Sequence, residues 1–373
     1  MRAIEWVDDH VDVVDQTVLP ARRRVALRSV GDVVGALERL VVRGAPMVGV
    51  LGALGVALSA RDRAVLGEDD AAVVADAERI VAASPSAGNL ERGVRRVLPL
   101  VPYGPDAVLR GAQLLLDDES RACATLARLG AVVLRSYVDG PMVLLTHCTG
   151  GGPTGGAWGT ATGVVRALHR DALVRSVVVG EARPLLRGSR ITATALAEAG
   201  VPHSVVVDAA APGLVARGLV DAVVVGADRV TATFDVVHEV GTLGLALAAA
   251  RAGVPFVVTA TESTIDPTTR DAAAAPLEDR DPDEVLLVGG WRMTPAASHG
   301  LNPACDVTPA DLVTAIVTES RVLEPASRRS SAAAPPAAPA AAPVPDPLPD
   351  PEPGRERIVV VGGRSLAAGS MTR

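Results

Sequence analysis

The second half of the chain alternates between short apolar runs and helical patterns, and this alternation constrains the fold more than any other feature. Six apolar runs follow Pro141, most of them separated by helical patterns, at residues 143–145, 177–179, 205–207, 222–225, 256–258 and 285–288. Strands that alternate with helices form parallel sheets covered on both faces. We therefore predict an α/β chain with a Rossmann-like, parallel-sheet domain at residues 136–325. Thr308, followed by Pro309, predicts the start of a last helix that extends to Glu319.

The first third of the chain predicts a mostly helical domain, residues 1–135, with a small β piece at its start. The β piece consists of three apolar segments at residues 4–7, 11–14 and 16–20. From Ser29 onward, apolar residues recur at intervals of three and four as far as Leu40, which is typical of an amphipathic helix. Further helical patterns cover residues 50–60, 69–82, 90–98 and 106–136, and the last is long enough for one helix or two.

The end of the chain differs in composition from the rest. Residues 326–355 consist mainly of Pro and Ala and cannot bury a core, so we predict a disordered or extended linker. The tail, residues 356–373, contains one strand-like run after Arg357 and indicates no function. A fusion remnant, in which the linker once tethered another module, is an alternative that this composition leaves open.

Composition and charge argue against several classes of protein. The formal net charge is −7, and no lysine is present. The lack of a basic stripe argues against nucleic acid and anionic membranes as partners. Cys123, Cys148 and Cys305 lie far apart without the spacing of zinc ligands, so we expect neither a metal site nor a disulfide framework. The N-terminus has no apolar signal core and no apolar run reaches about 18 residues, which predicts a cytoplasmic protein.

A glycine-rich loop after the first predicted strand of the parallel sheet is the first candidate for chemistry. The strand ends in Thr146, His147 and Cys148, and a helical pattern that includes Arg166 follows the loop. Loop amides and a helix N-terminus stabilise negative charge. The Cys148 thiol would then have a lowered pKa and could act as an acid, a base or a nucleophile. The alternative is a small buried cysteine at a strand end.

Two further segments could contribute to the same site. Arg43, Gly44 and Ala45 offer a guanidinium and two amides that could hold a phosphate, although an ordinary turn between helices explains them as well. Asp228 follows an apolar strand, where a carboxylate is most often a helix cap. Paired with Cys148 across a cleft, it could instead be a general acid or base.

Charged residues also follow the second predicted strand of the sheet. Glu181, Arg183, Arg187 and Arg190 occupy the same sheet edge as Cys148, where an anion site and a solvated loop are equally consistent with the pattern. A last polar segment, His238 and Glu239, precedes the helical pattern that continues through Ala250.

Together these motifs resemble, in identity and order, those of the methylthioribose-1-phosphate isomerase family. That family shares a superfamily with the ribose-1,5-bisphosphate isomerases and the regulatory subunits of initiation factor 2B. The resemblance covers about residues 1–325 and rests on Ile4-Glu-Trp, Asp15-Gln-Thr-Val-Leu-Pro, Val42-Arg-Gly-Ala-Pro, Thr146-His-Cys, Glu181-Ala-Arg-Pro-Leu-Leu, Gly226-Ala-Asp-Arg, Gly241-Thr, Ser263-Thr-Ile-Asp and Asn302-Pro-Ala-Cys-Asp-Val-Thr-Pro.

The resemblance implies a homodimer that converts 5-methylthioribose 1-phosphate to 5-methylthioribulose 1-phosphate in methionine salvage, without a metal or nucleotide cofactor. It implies that Cys148 and Asp228 are the catalytic pair. Asp228 would be an acid/base, and Cys148 would be a second acid/base or would stabilise the transition state. The implied substrate-binding positions are Arg43, Gly44, Ala45, Ser84, Arg187, His238 and Glu239.

Several of these positions depart from the family's pattern. Ser84 stands where the family has arginine, Arg187 where it has glutamine, and His238-Glu239 where it has Asn-Lys. Thr233-Phe234 and Thr149 also replace family residues. The catalytic pair is therefore kept while the substrate-binding residues change. An isomerase of a different 5-substituted ribose phosphate and a non-catalytic regulatory or binding homologue are the alternatives.

Overall fold

The structure, a computed structural model, describes residues 3–147 and 159–325, which lie within one compact unit. Cys148, the rest of the glycine-rich loop through residue 158, and the predicted linker and tail lie outside the described residues. The expected boundary between residues 135 and 136 falls within one long helix (Pro105–Tyr137), and the division into two domains stays a prediction.

Helices dominate the first part of the described chain and alternate with strands in the second. The α-helices are α1 (Val30–Glu38), α2 (Ala45–Leu66), α3 (Asp70–Ala82), α4 (Gly88–Val97), α5 (Pro105–Tyr137), α6 (Ala161–Arg170), α7 (Ala193–Glu198), α8 (Ala211–Ala216), α9 (Thr242–Ala252) and α10 (Asp283–Leu286).

Within residues 3–147 and 159–325, the strands form four sheets, of which one is large. The strands are β1 (Ile4–Val7), β2 (His10–Val14), β3 (Arg24–Leu27), β4 (Met142–Thr146), β5 (Val174–Gly180), β6 (His203–Val206), β7 (Ala222–Val225), β8 (Arg229–Val230), β9 (Val236–Glu239), β10 (Phe256–Thr259), β11 (Leu287–Val288), β12 (Trp291–Arg292), β13 (Cys305–Thr308), β14 (Ala315–Val317) and β15 (Val322–Leu323). The large sheet has the order β15-β14-β10-β7-β4-β5-β6, and smaller sheets have the orders β1-β2-β3, β13-β9-β8 and β11-β12.

The N-terminal helices pack around α2, which is buried along most of its length. Close packing against α4 depends on Gly49, because a Cβ atom there would lie 2.6 Å from the Asn89 carbonyl oxygen. Helix α1 begins at a capping box formed by Ser29 and Asp32, and Asp69 caps α3. These contacts fix α2, and they thereby position the Arg43 turn that precedes it.

Most sequence predictions for this part are confirmed, and one is wrong. Strands β1 and β2 and helices α1 to α4 lie where the patterns place them, and residues 106–136 belong to a single helix. Residues 16–18 form a 3-10 turn instead of a strand, because the Asp15 side chain accepts a hydrogen bond from the Thr17 backbone at 2.9 Å. The third strand of the β piece is β3, which follows that turn.

The alternation of strands and helices predicted a parallel sheet, and this prediction is confirmed. All strands of the large sheet are parallel except the edge strand β15. Alternate residues of each strand face opposite helix layers. Leu144 and Val224 belong to the apolar cluster that includes residues of α5 and α6, whereas Val223 and Val258 belong to the cluster that includes residues of α8 and α9.

Two predicted elements of the second half are wrong. Residues 285–288 divide between α10 and the surface hairpin β11-β12, where Val288 is about half exposed. Short apolar runs cannot by themselves be told apart as buried strand, helix or surface segment.

The expected helix from Thr308 is also absent from the described structure: β13 ends at Thr308, and β14 adds a strand parallel to β10. The fully buried β-branched pair Ile316 and Val317 fits a sheet interior better than a helix.

Candidate active site

Asp228 lies where the large sheet, the sheet β13-β9-β8 and the N-terminal helices meet. It follows β7, and its backbone N–H donates to the Val237 carbonyl of β9 at 2.9 Å. The residue is only 6% exposed. Its carboxylate is therefore held near the carboxyl end of a central strand and away from water, which is where α/β enzymes place reactive groups.

Two arginines and one glutamate join this carboxylate in a charged cluster (Arg43, Arg187, Asp228 and Glu239). Arg43 Nη2 donates to Asp228 Oδ2 at 3.4 Å. The same nitrogen lies 4.0 Å from Glu239 Oε1, and Arg187 Nε lies 3.2 Å from that oxygen. Glu239 comes from the end of β9 and Arg187 from the loop after β5, so four separate segments supply the charged cluster.

Burial and ion pairing act in opposite directions on Glu239. Burial alone would raise the pKa of its carboxyl group, but Arg187, His238 and Arg43 lower that pKa from 4.5 to about 2. Burial lowers the pKa of Arg187, yet a guanidinium starts high enough to remain charged. For Arg43, burial is outweighed by Asp228 and Glu239, which raise its pKa. Glu239 and both arginines are therefore ionised at neutral pH.

Both arginines keep a buried donor unused. Arg43 Nε and Arg187 Nε have no hydrogen-bond partner among the described residues. The approach of Arg187 Nε to Glu239 is close enough for an ion pair but lacks hydrogen-bond geometry. A buried unpaired donor costs free energy, so each N–H is available to an anionic ligand.

Cys305 is a site residue that the sequence patterns did not single out. It pairs with Glu239 in the β13-β9 register, and its thiol lies 3.9 Å from Asp228 Oδ2. Burial and the nearby Asp228 raise the pKa of this thiol. Cys305 is therefore a neutral neighbour of the carboxylate. Its presence in the Asn302-Pro-Ala-Cys motif was the one available signal.

Two aspartates and a histidine hold the walls of the site in place. Asp208 accepts hydrogen bonds from the Ala182 and Arg183 amides at 2.9 and 2.7 Å and lies 3.6 Å from His147 Nδ1. His147 Nε2 is 2.8 Å from the Val240 carbonyl oxygen. Asp306 accepts from the amides of Gly241 and Leu243. Sequence reasoning missed Asp208 and Asp306, because each acts on a segment distant in the chain.

The contact between His147 and Gly241 predicts a stability difference between two glycine substitutions. Gly241 has φ of 107°, and an added Cβ would lie 2.9 Å from His147 Nε2. We expect Gly241→Ala to lower the free energy of unfolding by about 1–3 kcal/mol, measured by urea denaturation. The control is Gly244→Ala in α9, where nothing lies within 4 Å and the helix should gain about 0.5–1 kcal/mol. Equal effects of the two substitutions would contradict this role of Gly241.

The remaining residues predicted for the site have different surroundings. Gly44, with φ of 100°, is the N-cap of α2, and Ala45 begins that helix, so both adjoin Arg43. His238 is buried, its Nδ1 is 3.0 Å from Thr242 Oγ1, and burial lowers its pKa. Ser84 is buried but makes no side-chain hydrogen bond to the charged cluster within the described residues.

The segment after Ser84 does reach the neighbourhood of Asp228. Arg229 Nη2 donates to the Pro85 carbonyl at 3.1 Å. A Cβ on Gly88 would lie 3.4 Å from the Arg229 guanidinium carbon. The structure thus brings together Arg43, Arg187, Asp228 and Glu239, places Gly44, Ala45 and His238 beside them, and leaves Ser84 at their margin. Cys148 lies outside the described residues.

No group of three or more His, Cys, Asp and Glu side chains within residues 3–147 and 159–325 could hold a metal ion. In the same ranges, no helix is both long and apolar enough to cross a membrane. What the described side chains provide is a buried carboxylate with guanidinium donors beside it. Such a combination can move a proton and can bind an anionic group.

A parallel sheet with a buried, charged cluster at its carboxyl edge is typical of α/β enzymes that act on small polar molecules. Comparison with known proteins narrows this class. The family model of the initiation factor 2 subunit family matches residues 41–325, and the chain belongs to this family, in its methylthioribose-1-phosphate isomerase branch.

Three similar proteins illustrate the relationship. A methylthioribose-1-phosphate isomerase of Azotobacter vinelandii is 41% identical over 87% of this chain and 92% of its own length. A Nocardia farcinica protein named "Probable bifunctional methylthioribose-1-phosphate isomerase/methylthioribulose-1-phosphate dehydratase" is 44% identical over 89% of this chain. The chain spans only 62% of that longer protein. The solved structure of 5-methylthioribose 1-phosphate isomerase from Pyrococcus horikoshii is 30% identical with a TM-score of 0.74, covering 88% of this chain and 94% of that one.

Proposed function

We propose that this protein is an aldose–ketose isomerase that converts 5-methylthioribose 1-phosphate to 5-methylthioribulose 1-phosphate, a step of methionine salvage. The observation that carries the proposal is the ion pair between Asp228 and Arg43, which places a buried carboxylate next to an anion-binding group. The Azotobacter and Pyrococcus relatives carry the name of this activity, and the sequence motifs resemble the same family.

The reaction needs groups of the kinds found here. The furanose ring must open, which requires a proton on the ring oxygen, and a hydrogen must then move from C2 to C1. We assign Asp228 as the acid/base for these steps. We assign Cys148, which lies outside the described residues, as a second acid/base or as a stabiliser of the transition state. Exclusion of water by the buried surroundings of Asp228 strengthens the interactions that such a step requires.

Substrate binding is proposed to rest on the arginines and on the start of α2. Arg43 Nε is an unused buried donor, and the Gly44 turn presents backbone amides beside it. Together they can bind the 1-phosphate by charge-assisted hydrogen bonds. Arg187 Nε offers a second unused donor 3.2 Å from Glu239 Oε1. The Glu239 carboxylate itself would repel a phosphate unless the arginines stay paired with it.

The proposal is tested by incubating the purified protein with 5-methylthioribose 1-phosphate and measuring ketose formation. We expect turnover by the natural chain and a loss of kcat of about 100-fold or more in Cys148→Ala. Running the reaction in deuterated water adds information on the hydrogen route, because deuterium at C1 of the ketose shows an enediol route that exchanges with solvent. A well-folded natural chain without turnover would contradict the proposed substrate.

A second candidate function has support from one observation. Arg187 and Glu239 stand where the resembling family has glutamine and lysine, and in the structure they pair with each other. This pairing changes how charge is arranged around the substrate and favours an isomerase of another 5-substituted ribose phosphate. Turnover of such a compound, combined with none of 5-methylthioribose 1-phosphate, would select this candidate. Specific binding of sugar phosphates without any turnover would instead indicate a regulatory homologue.

We also propose a homodimer that works in the cytoplasm, as the family resemblance implies. Sedimentation equilibrium of the full chain tests the assembly, with a mass of about twice the 38.0 kDa of one chain as the expected result. A concentration-independent mass of one chain would contradict the dimer.

A further inference from the structure

A cavity adjoins the charged cluster at Arg187, and Asp228 is not among the described residues that line it. Its volume is about 240 Å³, just below the range typical of small-molecule sites. The loop after β5, the 3-10 turn after β2, the end of α1 and the hairpin β11-β12 enclose it. We call it the arginine cavity, because Arg39, Arg183, Arg187 and Arg190 line it.

The charge of the arginine cavity is not neutralised by its own walls. None of the described residues that line it is an Asp or a Glu. Arg183 donates to the carbonyls of Pro184 and Val285, and Arg190 donates to the carbonyl of Thr17. Carbonyl partners satisfy N–H groups but leave the positive charge uncompensated. Within the described part of the chain, neither of these arginines nor Arg39 forms an ion pair with a carboxylate.

This arrangement contrasts with the arginines elsewhere in the described chain, which commonly pair with acids. Arg63 pairs with Asp76, and Arg229 pairs with Asp266. The chain as a whole is acidic, with a formal net charge of −7. The arginine cavity is therefore a local exception, because Arg39, Arg183 and Arg190 line it without a carboxylate partner among the described residues. A dianion is the ligand that these guanidinium groups match best.

The rest of the arginine cavity wall is apolar. Leu40, Leu185, Leu287 and Val288 contribute to it, so the ligand should carry an apolar part beside its anionic group. Leu40 has φ of 55° and Leu186, also in the wall, has φ of 57°. Leucine rarely adopts this left-handed conformation, and such strained residues cluster at functional sites.

We propose that the arginine cavity binds a phosphate monoester with a small apolar organic part, at a site separate from the Asp228 carboxylate. Arg39, Arg183 and Arg190 hold the phosphate, and the leucines contact the organic part. Arg187 is a shared wall, since its Nε lies 3.2 Å from Glu239 of the charged cluster. Binding of this phosphate monoester does not depend on which reaction occurs at Asp228.

The test is isothermal titration of the full chain with n-butyl phosphate as the probe. We expect saturable binding that weakens by about tenfold or more in Arg39→Gln and in Arg190→Gln, because each substitution removes one charge-assisted contact. The matched control is Arg175→Gln, since Arg175 is an exposed arginine paired with Asp221 outside the cavity.

Several results would overturn the proposal. Undiminished binding in both Arg39→Gln and Arg190→Gln, with urea denaturation showing both to be folded, would place the anion elsewhere. A similar loss in Arg175→Gln would show that the cavity is not the site. Absence of binding at millimolar probe would also exclude the site, including the case in which a second copy of the chain covers the cavity.

Discussion

Replacing Asp228 with asparagine should lower kcat for ketose formation by about two to four orders of magnitude, the range expected when a general acid/base is removed. Asparagine has the shape of aspartate and can still accept the hydrogen bond from Arg43 Nη2. It cannot take up and release a proton in the neutral pH range. The fold and substrate binding should therefore persist, so the loss should appear in kcat more than in KM.

A matched substitution separates this chemical effect from a structural one. Asp76 is also buried and pairs with arginines, but it belongs to α3 and contacts α2 in the N-terminal helices. Asp76→Asn should reduce the free energy of unfolding while leaving kcat unchanged. Retention of more than a tenth of kcat in Asp228→Asn would remove Asp228 from the role of acid/base.

The second large effect is expected on stability, from Glu239→Gln. This substitution leaves the guanidinium groups of Arg187 and Arg43 buried without their shared carboxylate. Removal of one member of a buried ion pair typically costs about 3–5 kcal/mol. We expect a decrease of about 3 kcal/mol in the free energy of unfolding at pH 7, measured by urea denaturation. The drop in pKa of Glu239 from 4.5 to about 2 corresponds to a similar energy, about 3 kcal/mol.

The pH dependence of this difference follows from the direction of the pKa shift. The folded-state pKa of Glu239 is depressed, so its contribution is complete above its unfolded pKa of 4.5 and is lost as the pH falls toward about 2. The stability difference between the natural chain and Glu239→Gln should therefore shrink below about pH 4.5 and stay constant between pH 6 and 8. A difference that grows on acidification would contradict the ion pair as its source.

An exposed pair provides the control for Glu239→Gln. Glu91 and Arg95 form an ion pair on α4 with about half of each side chain exposed, and Glu91→Gln should cost less than about 1 kcal/mol. A double-mutant cycle with Arg187→Gln and Glu239→Gln then isolates the coupling within the charged cluster. A coupling free energy between Arg187 and Glu239 no larger than that of the exposed pair would show that burial does not strengthen their interaction.

Two members of the charged cluster lie at the sheet edge where the sequence predicts them. Asp228 and Arg187 were predicted at one sheet edge, because each follows an apolar run and the carboxyl ends of parallel strands meet at the same edge. The pairing of Arg187 with Glu239 was not predicted. Cys305, with its thiol 3.9 Å from Asp228, was not predicted either. Both depend on β9, which leaves the parallel alternation and pairs antiparallel with β13.

Local patterns by themselves determined the order of the helices and most of the strands of the large sheet. This was feasible because an amphipathic period and a buried apolar run depend on neighbouring residues. Tertiary structure alone decided which charges meet: Arg43 and Asp228 are 185 positions apart, and their contact depends on α2 being packed against α4. It also decided that residues 315–317 form a strand. Burial between β10 and β15 outweighed the helix-start signal at Thr308, because that signal acts over only one turn of chain.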